Sequence, residues 1–412
     1  MNLTLQKPVY GGDCLTHLPP NGGKPGKAVF VPLTLPGETI EAQIVEEKRN
    51  HIQAEANAIL TASPDRVAPG CPHYGQCGGC QYQHANYPAQ LAFKQQILRE
   101  TLQRAHVPLP AEIAILAADP WHYRNRIRLA VTPSGEIGYR SRGSHQIVPI
   151  RECPIAAPLL AEIALDFGSF LEEATTQDSI SEIELFTNQD DSELSLTLFF
   201  ETAEPQSRGL RLTRSADATR FKLERTEERF LTYGVAGFNY RVSHGAFFQV
   251  NRHLLDRFAE HVTANQSGSL AWDLYAGVGL FARRLAASFS QVHAVESAPA
   301  AVESLRENLR ETGSQVANST TLDFLRNNRE NREPRPDLIV LDPPRAGLGD
   351  QVTTLLNAVG APSLVYVSCD PTTLARDLRA LTQERYRIDS VTLVDMFPQT
   401  FHMETVVKLR RF

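Results

Sequence analysis

A cysteine and two carboxylates stand in three short segments of this 412-residue chain where a nucleophile and proton-transfer groups could meet. Cys369 follows the apolar run Leu364-Val365-Tyr366-Val367 and precedes Pro371, which opens a helix-periodic stretch over 372–378. A short β-branched run reads as a buried strand, and Pro belongs in a helix's first turn. The spacing therefore predicts a thiol at a strand-to-helix turn, close to helix-end N–H groups that favour a thiolate. A free cysteine is more often buried and inert. What lifts Cys369 above that reading is its company. Asp342 closes the run Leu338-Ile339-Val340-Leu341, and Glu404 ends Phe401-His402-Met403-Glu404. Strand C-termini of an open α/β sheet converge on one crevice, so the thiol and both carboxylates would share it.

The elements needed to position them are visible from about residue 240 onward as repeated strand-then-helix units. Leu270–Tyr275 leads into Gly277 and Gly279, and Val292–Val295 ends in Glu296 before a helix near 299–312. This is the first half of a doubly wound sheet. Gly277-x-Gly279-x-x-Ala282 formally matches the dinucleotide fingerprint, with Glu296 where a ribose-binding acid belongs. Asp273 and Tyr275 before the turn resemble instead the S-adenosylmethionine loop of class I methyltransferases, in which Glu296 would hold the ribose hydroxyls.

Ahead of that region the chain divides further. Residues 1–57 carry short strand runs (Ala28–Val31, Thr39–Val45) and Gly-rich turns suited to a small β-barrel. Cys71, Cys77 and Cys80 follow in C-x5-C-x2-C spacing, and Cys153 is the available fourth soft ligand. Six cysteines in all, clustered in a chain without a secretion-signal pattern at Met1-Asn2-Leu3-Thr4, point to metal and not disulfides. Four thiolates suit zinc or a [4Fe–4S] cluster, and a single C-x2-C pair favours the cluster. Residues 121–151 hold six arginines and one acid, interleaved with Trp121, Tyr123 and Tyr139, whereas 155–205 hold twelve acids and no Lys or Arg. With a net charge of −6, any RNA surface must be a local patch. The expectation is an RNA face bearing Arg124, Arg126, Arg140 and Arg142, with the acidic segment turned away. No apolar run reaches the ~20 residues of a membrane span. A cytoplasmic monomer is expected.

In this order, the motifs resemble the RNA uracil-5 methyltransferase family, particularly its iron–sulfur ribosomal RNA branch. They are the C-x5-C-x2-C loop with a remote Cys, Phe247-Phe248-Gln249-Val250-Asn251, the glycine loop, Asp342-Pro343-Pro344-Arg345, Ser368-Cys369-Asp370-Pro371 and His402-Met403-Glu404-Thr405. The resemblance covers nearly the whole chain. It implies an α/β protein of three parts: a TRAM/OB-like barrel at 1–57, a central α+β domain with a [4Fe–4S] cluster on Cys71, Cys77, Cys80 and Cys153 at 58–240, and a Rossmann-like S-adenosylmethionine-dependent domain at 241–412. It further implies that Cys369 is the nucleophile and Glu404 the base, and that Gln249, Tyr275, Gly277, Gly279, Glu296 and Asp342 line the cofactor and base site. The substrate it implies is a 23S ribosomal RNA uridine, with a transfer RNA T-loop uridine as the alternative. Two positions depart from the family pattern: Leu280 where relatives carry Asn, and Thr320 where Asn or Asp often meets the adenine.

The residues suit that chemistry on their own. Uracil C5 is a poor nucleophile; thiolate addition at C6 raises its electron density, and a carboxylate can later remove the C5 proton. An amino-group methyltransferase would place an aromatic residue after Asp-Pro-Pro, where this chain has Arg345, and would need no Cys. A cytosine-5 enzyme would carry a second Cys there. The reading from a different class is a redox or non-catalytic iron–sulfur RNA-binding protein.

Overall fold

The computed structural model describes residues 1–20, 26–132, 135–164, 180–201, 206–214, 221–225, 227–331 and 334–412. Its largest layer is an eight-stranded sheet in the order Gln315–Asn318, Phe289–Glu296, Gly268–Leu274, Leu338–Leu341, Ser363–Ser368, Glu404–Arg411, Tyr386–Val394, Ala114–Leu116. The first five strands are parallel and Glu404–Arg411 runs antiparallel between its neighbours. Strands buried on both faces read as continuous apolar runs, as Leu338–Leu341 and Leu364–Val367 do. The strand order reverses between Gly268–Leu274 and Leu338–Leu341, and such a switch point opens a crevice at the strand C-termini. Because Glu404–Arg411 is antiparallel, its first residue lies at that same edge.

The predicted strand-to-helix turn at Cys369 is present: the strand Ser363–Ser368 runs into the helix Pro371–Glu384. Buried Asp377 of that helix ties the turn to its neighbour. It accepts hydrogen bonds from Tyr366 Oη at 2.8 Å and from Leu348 N at 2.7 Å, which locks the loop after Asp342 against the strand carrying Cys369.

Residues at the N-terminus form a six-stranded sheet that continues through the strand His51–Thr61. Its apolar residues, among them Val29, Val31, Ile40 and Ile52, form a core of their own. A seven-stranded antiparallel sheet lies between, from Arg126–Val131 to Phe221–Arg225, and its Ile127 and Leu129 face a separate core. The helix Tyr87–Arg104, capped by Asn86, packs on the large sheet's side of the molecule. Its Lys94 is fully buried in an ion pair with Asp395 at 2.6 Å. No helix among the described residues is long and apolar enough to cross a membrane.

Candidate active site

Asp342 and Cys369 directly follow the strands Leu338–Leu341 and Ser363–Ser368, Glu404 opens the adjacent strand, and both carboxylates lie close enough to act on the thiol. Burial, then Glu404, then Asp342 push the Cys369 thiol up to about 12, against the pull of Arg345. Burial raises Asp342 to about 7, against a hydrogen bond from Gln249 Nε2 at 3.2 Å. Glu404 is lifted well above the ordinary range by burial and by Asp342, again opposed by Arg345. Its Oε1 has no hydrogen-bond partner among the described residues. The expectation that helix-end N–H groups favour the thiolate is corrected here. Asp370 caps the helix, and its Oδ1 takes the N–H groups of Thr372 at 2.8 Å and Thr373 at 3.0 Å, so those donors are spent before Cys369 can use them. Two buried acids then work against ionisation. Arg345, which also donates to His402 at 3.2 Å, is the cation that opposes them.

Beside this group the chain leaves the strand Gly268–Leu274 through Tyr275, Gly277 and Gly279, all with positive φ (64°, 55° and 93°). Glycine enters that region without strain, and Tyr275 pays a cost that tends to persist at functional turns. Glu296, at the end of the next strand, accepts from Gly277 N at 2.9 Å and from Ala298 N at 2.8 Å, so it fixes the loop. Buried Asp273 accepts from Ala282 N at 2.8 Å and leaves Oδ1 unpartnered. Thr320 caps the following helix by accepting from Asp323 N at 3.1 Å, and Leu280 is buried. Gln249 is held from the central sheet, whose Asn125 Nδ2 donates to Gln249 O at 3.1 Å.

Residues 86–412 match the family model described as tRNA (Uracil-5-)-methyltransferase. The chain belongs to this family. It is 33% identical to the 23S rRNA (uracil(1939)-C(5))-methyltransferase of Shewanella amazonensis, over 92% of this chain and 90% of that one. It is 34% identical to the protein of the same name from Pectobacterium atrosepticum, over 92% and 88%. Among solved structures, the Pyrococcus abyssi tRNA (uracil-54, C5)-methyltransferase in complex with S-adenosyl-L-homocysteine superposes with a TM-score of 0.74 at 27% identity, over 99% of this chain and 100% of that one.

In this uracil-5 methyltransferase the four remaining candidate cysteines also converge. Cys71, Cys77, Cys80 and Cys153 line one small cavity of about 40 Å³, with Arg124 and Tyr139 in its wall. Burial pushes the thiols of Cys77 and Cys80 up to about 11 and about 12. No group of three His, Cys, Asp or Glu side chains among the described residues closes tightly on a single point for one ion. The cavity loop is tied to the catalytic segment by bonds that no motif announced. Gln399 O accepts from Gln81 N at 3.0 Å and Tyr82 N at 2.9 Å, and Gln399 N donates to Gln90 Oε1 at 3.0 Å. Gln399 itself is buried at φ 67°.

The expected arginine face is in part engaged in ion pairs. Strand Arg126–Val131 pairs directly with Ile180–Thr187, placing Glu184 opposite Arg128. Arg126 bonds Glu184 at 2.9 Å, while Arg128 Nε and Arg140 Nη2 bond Glu182 at 2.7 and 2.9 Å. Arg142 lies 3.4 Å from Glu55. The acidic segment is thus a neighbour in the sheet and not turned away, although its residues 165–179 and 202–205 lie outside the described residues. Arg126 and Arg128 do share a face, but Arg124 precedes the strand and turns to the cysteine cavity. Cross-strand pairing, invisible in linear charge counts, offsets part of the patch: two acids stand against three arginines, of which Arg128 and Arg140 stay half-exposed.

Proposed function

We propose that this enzyme forms 5-methyluridine in RNA, with a 23S ribosomal RNA uridine as substrate. The observation that carries the reading is the convergence of Cys369, Asp342 and Glu404 at the sheet's C-terminal edge, beside a glycine loop of methyltransferase type. The named relatives at 33–34% identity favour ribosomal RNA. The TM-score of 0.74 to a tRNA (uracil-54, C5)-methyltransferase supports the alternative, a transfer RNA T-loop uridine. Mapping 5-methyluridine in both RNAs from a deletion strain separates them: loss from 23S RNA alone is expected, and loss from transfer RNA alone contradicts it.

S-adenosylmethionine fits the loop formed by Tyr275, Gly277 and Gly279 with Glu296 and Gln249 alongside, and when bound it supplies the methyl group. The protein's part is to prepare the uracil. Cys369 passes its proton to solvent water and its sulfur bonds C6, moving the C5–C6 π electrons toward an enolate that makes C5 nucleophilic. Arg345 favours the ionised thiol. Asp342, oriented by Gln249, holds the base. After C5 is methylated, Glu404 removes the C5 proton, and the electron pair left behind expels the sulfur from C6. Burial makes Glu404 a stronger base once ionised. The base must leave its stack to reach this buried group.

Cys71, Cys77, Cys80 and Cys153 are proposed ligands of a [4Fe–4S] cluster. The single C-x2-C pair favours the cluster over zinc, which usually takes two such pairs. A cluster there would pin the loop after the N-terminal sheet to the central sheet, since ligation contributes directly to folding. Iron and sulfide content of anaerobically purified protein tests this; zinc with little iron contradicts it. The expected division needs correcting: 57/58 cuts the strand His51–Thr61, 240/241 cuts Phe238–Ser243, and Ala114–Leu116 is an edge strand of the large sheet. The TRAM/OB-like character of the first part and a cytoplasmic monomer belong to the same proposal.

A further inference from the structure

The arginines of the central sheet are partly held by acids, so an RNA methyltransferase gains from a further grip on phosphate. A groove of about 650 Å³ runs between the N-terminal sheet and the helices Tyr87–Arg104 and Pro371–Glu384. Its wall on the second helix is Thr372, Ala375, Arg376 and Arg379, one helix face that extends about 10 Å. Aromatic and apolar side chains, Tyr10, Phe30, Leu15 and Ile97, form the floor. Two cations at the groove are spent: Lys7 on Glu100 at 2.5 Å and Arg376 on Asp377 at 2.8 Å. Arg104 and Arg379 are exposed and make no ion pair among the described residues.

The groove also reaches the nucleophile. Tyr10 Oη donates to Asp370 Oδ2 at 3.2 Å, one residue from Cys369, and the Tyr10 ring meets Phe401 edge-on at 5.3 Å. Phe401 leads to Glu404 on the other side of the crevice. A flipped uridine must be followed by strand leaving the crevice, unstacked and charged at every phosphate. Free guanidinium groups above an aromatic floor match that strand in both respects.

We propose that this groove holds the single-stranded RNA flanking the target uridine, with Arg104 and Arg379 on phosphates and Tyr10 and Phe30 under bases. The inference rests on the RNA methyltransferase reading and adds the route of the substrate. An acidic peptide would satisfy the arginines but gives no reason for the groove to end at Asp370.

The test compares wild type, Arg104→Ala/Arg379→Ala and Arg128→Ala on an in vitro transcribed 23S RNA fragment spanning the methylated uridine. The double variant should weaken RNA binding about 10- to 100-fold at low salt and make the log–log salt slope shallower by about 1.4, two contacts at roughly 0.7 each. Its KM for RNA should rise in step with the lost affinity. Arg128→Ala, already paired with Glu182, should change neither. An oligonucleotide trimmed to the nucleotides nearest the uridine should erase the difference. Unchanged affinity and slope in the double variant, with wild type active, overturns the groove assignment. So does retained RNA affinity with lost binding of a poly-glutamate peptide, which would make the groove a protein-docking site. A wild-type enzyme that makes no 5-methyluridine in any RNA instead overturns the reading on which the groove rests.

Discussion

Cys14 apart, the thiols of this molecule are half-buried in two sites of opposite character. Around Cys369 the neighbours are carboxylates: Glu404 and Asp342 raise its proton affinity, and Arg345 and a backbone N–H act against them. Around Cys71, Cys77, Cys80 and Cys153 the cavity wall brings four sulfurs together with Arg124 and Tyr139, whose Oη lies 3.8 Å from Cys153 Sγ. On the proposed roles, one site stores protons beside a nucleophile and the other gathers soft ligands that a cation would deprotonate. Burial raises thiols in both, so burial alone says nothing about role. What surrounds the sulfur decides it, and so does what holds it: Cys369 sits on a sheet edge, the others in loops. The two sites are mechanically joined at Gln399, whose backbone is held by Gln81, Tyr82 and Gln90 only five residues before Glu404.

The strongest way to break this comparison is to exchange the consequences of losing each thiol. Cys369→Ala should lower methylation by at least about 10⁴-fold, as removal of a nucleophile does, with iron and sulfide content unchanged. Cys80→Ala should instead strip the metal and lower the melting temperature. If Cys369→Ala loses metal, or Cys80→Ala keeps it, the division of roles fails.

Next in size is Lys94→Met. Its partner Asp395 is fully buried and also accepts from Tyr87 Oη at 2.8 Å, so an uncompensated charge would remain. Urea unfolding should show a loss of about 3–5 kcal/mol. Lys94→Met/Asp395→Leu should recover part of it, because both charges are then gone. A double variant as unstable as the single one would show that packing, not charge, sets the cost.

A smaller effect concerns pH. Asp342 holds its proton to about 7 in the folded protein, against 3.8 when unfolded. The stability tied to that proton is complete below about 4 and is lost as pH rises through about 7. Asp342→Asn should therefore flatten the stability profile between those limits, by up to a few kcal/mol at pH 8. Removing this acid also lowers the proton affinity of Cys369 and Glu404, so covalent labelling of Cys369 by iodoacetamide should shift toward lower pH. A shift the other way would mean that Asp342 is not the acid that restrains the thiol.

Much of the crevice was legible because its residues lie at ends of short, continuously apolar strands. Leu364–Val367, Leu338–Leu341 and Val292–Val295 each announce a buried strand, and Cys369, Asp342 and Glu296 follow directly. The cysteine spacing likewise places Cys71, Cys77, Cys80 and Cys153 in one cavity, although 73 residues separate the last pair (153 − 80). What local pattern cannot carry is pairing across the chain. Arg126, Arg128 and Arg140 looked like an RNA face because charge was counted along the sequence; the antiparallel register brings Glu182 and Glu184 to them. Nor does any local signal link Lys94 to Asp395, or Tyr10 to Asp370. Asp370 itself was readable as part of a motif, but its use of the helix N–H groups depends on side-chain geometry.

The most direct test of the central assignment is what Glu404→Gln leaves behind. With the shape kept and the base removed, Cys369 can still add to C6 and C5 can still be methylated, but the C5 proton stays and the sulfur cannot leave. Denaturing electrophoresis with labelled methyl donor should reveal a protein–RNA band that carries the methyl group, and the band should vanish in Cys369→Ala/Glu404→Gln. Normal turnover by Glu404→Gln, or a band that persists without Cys369, would contradict the assignment of nucleophile and base.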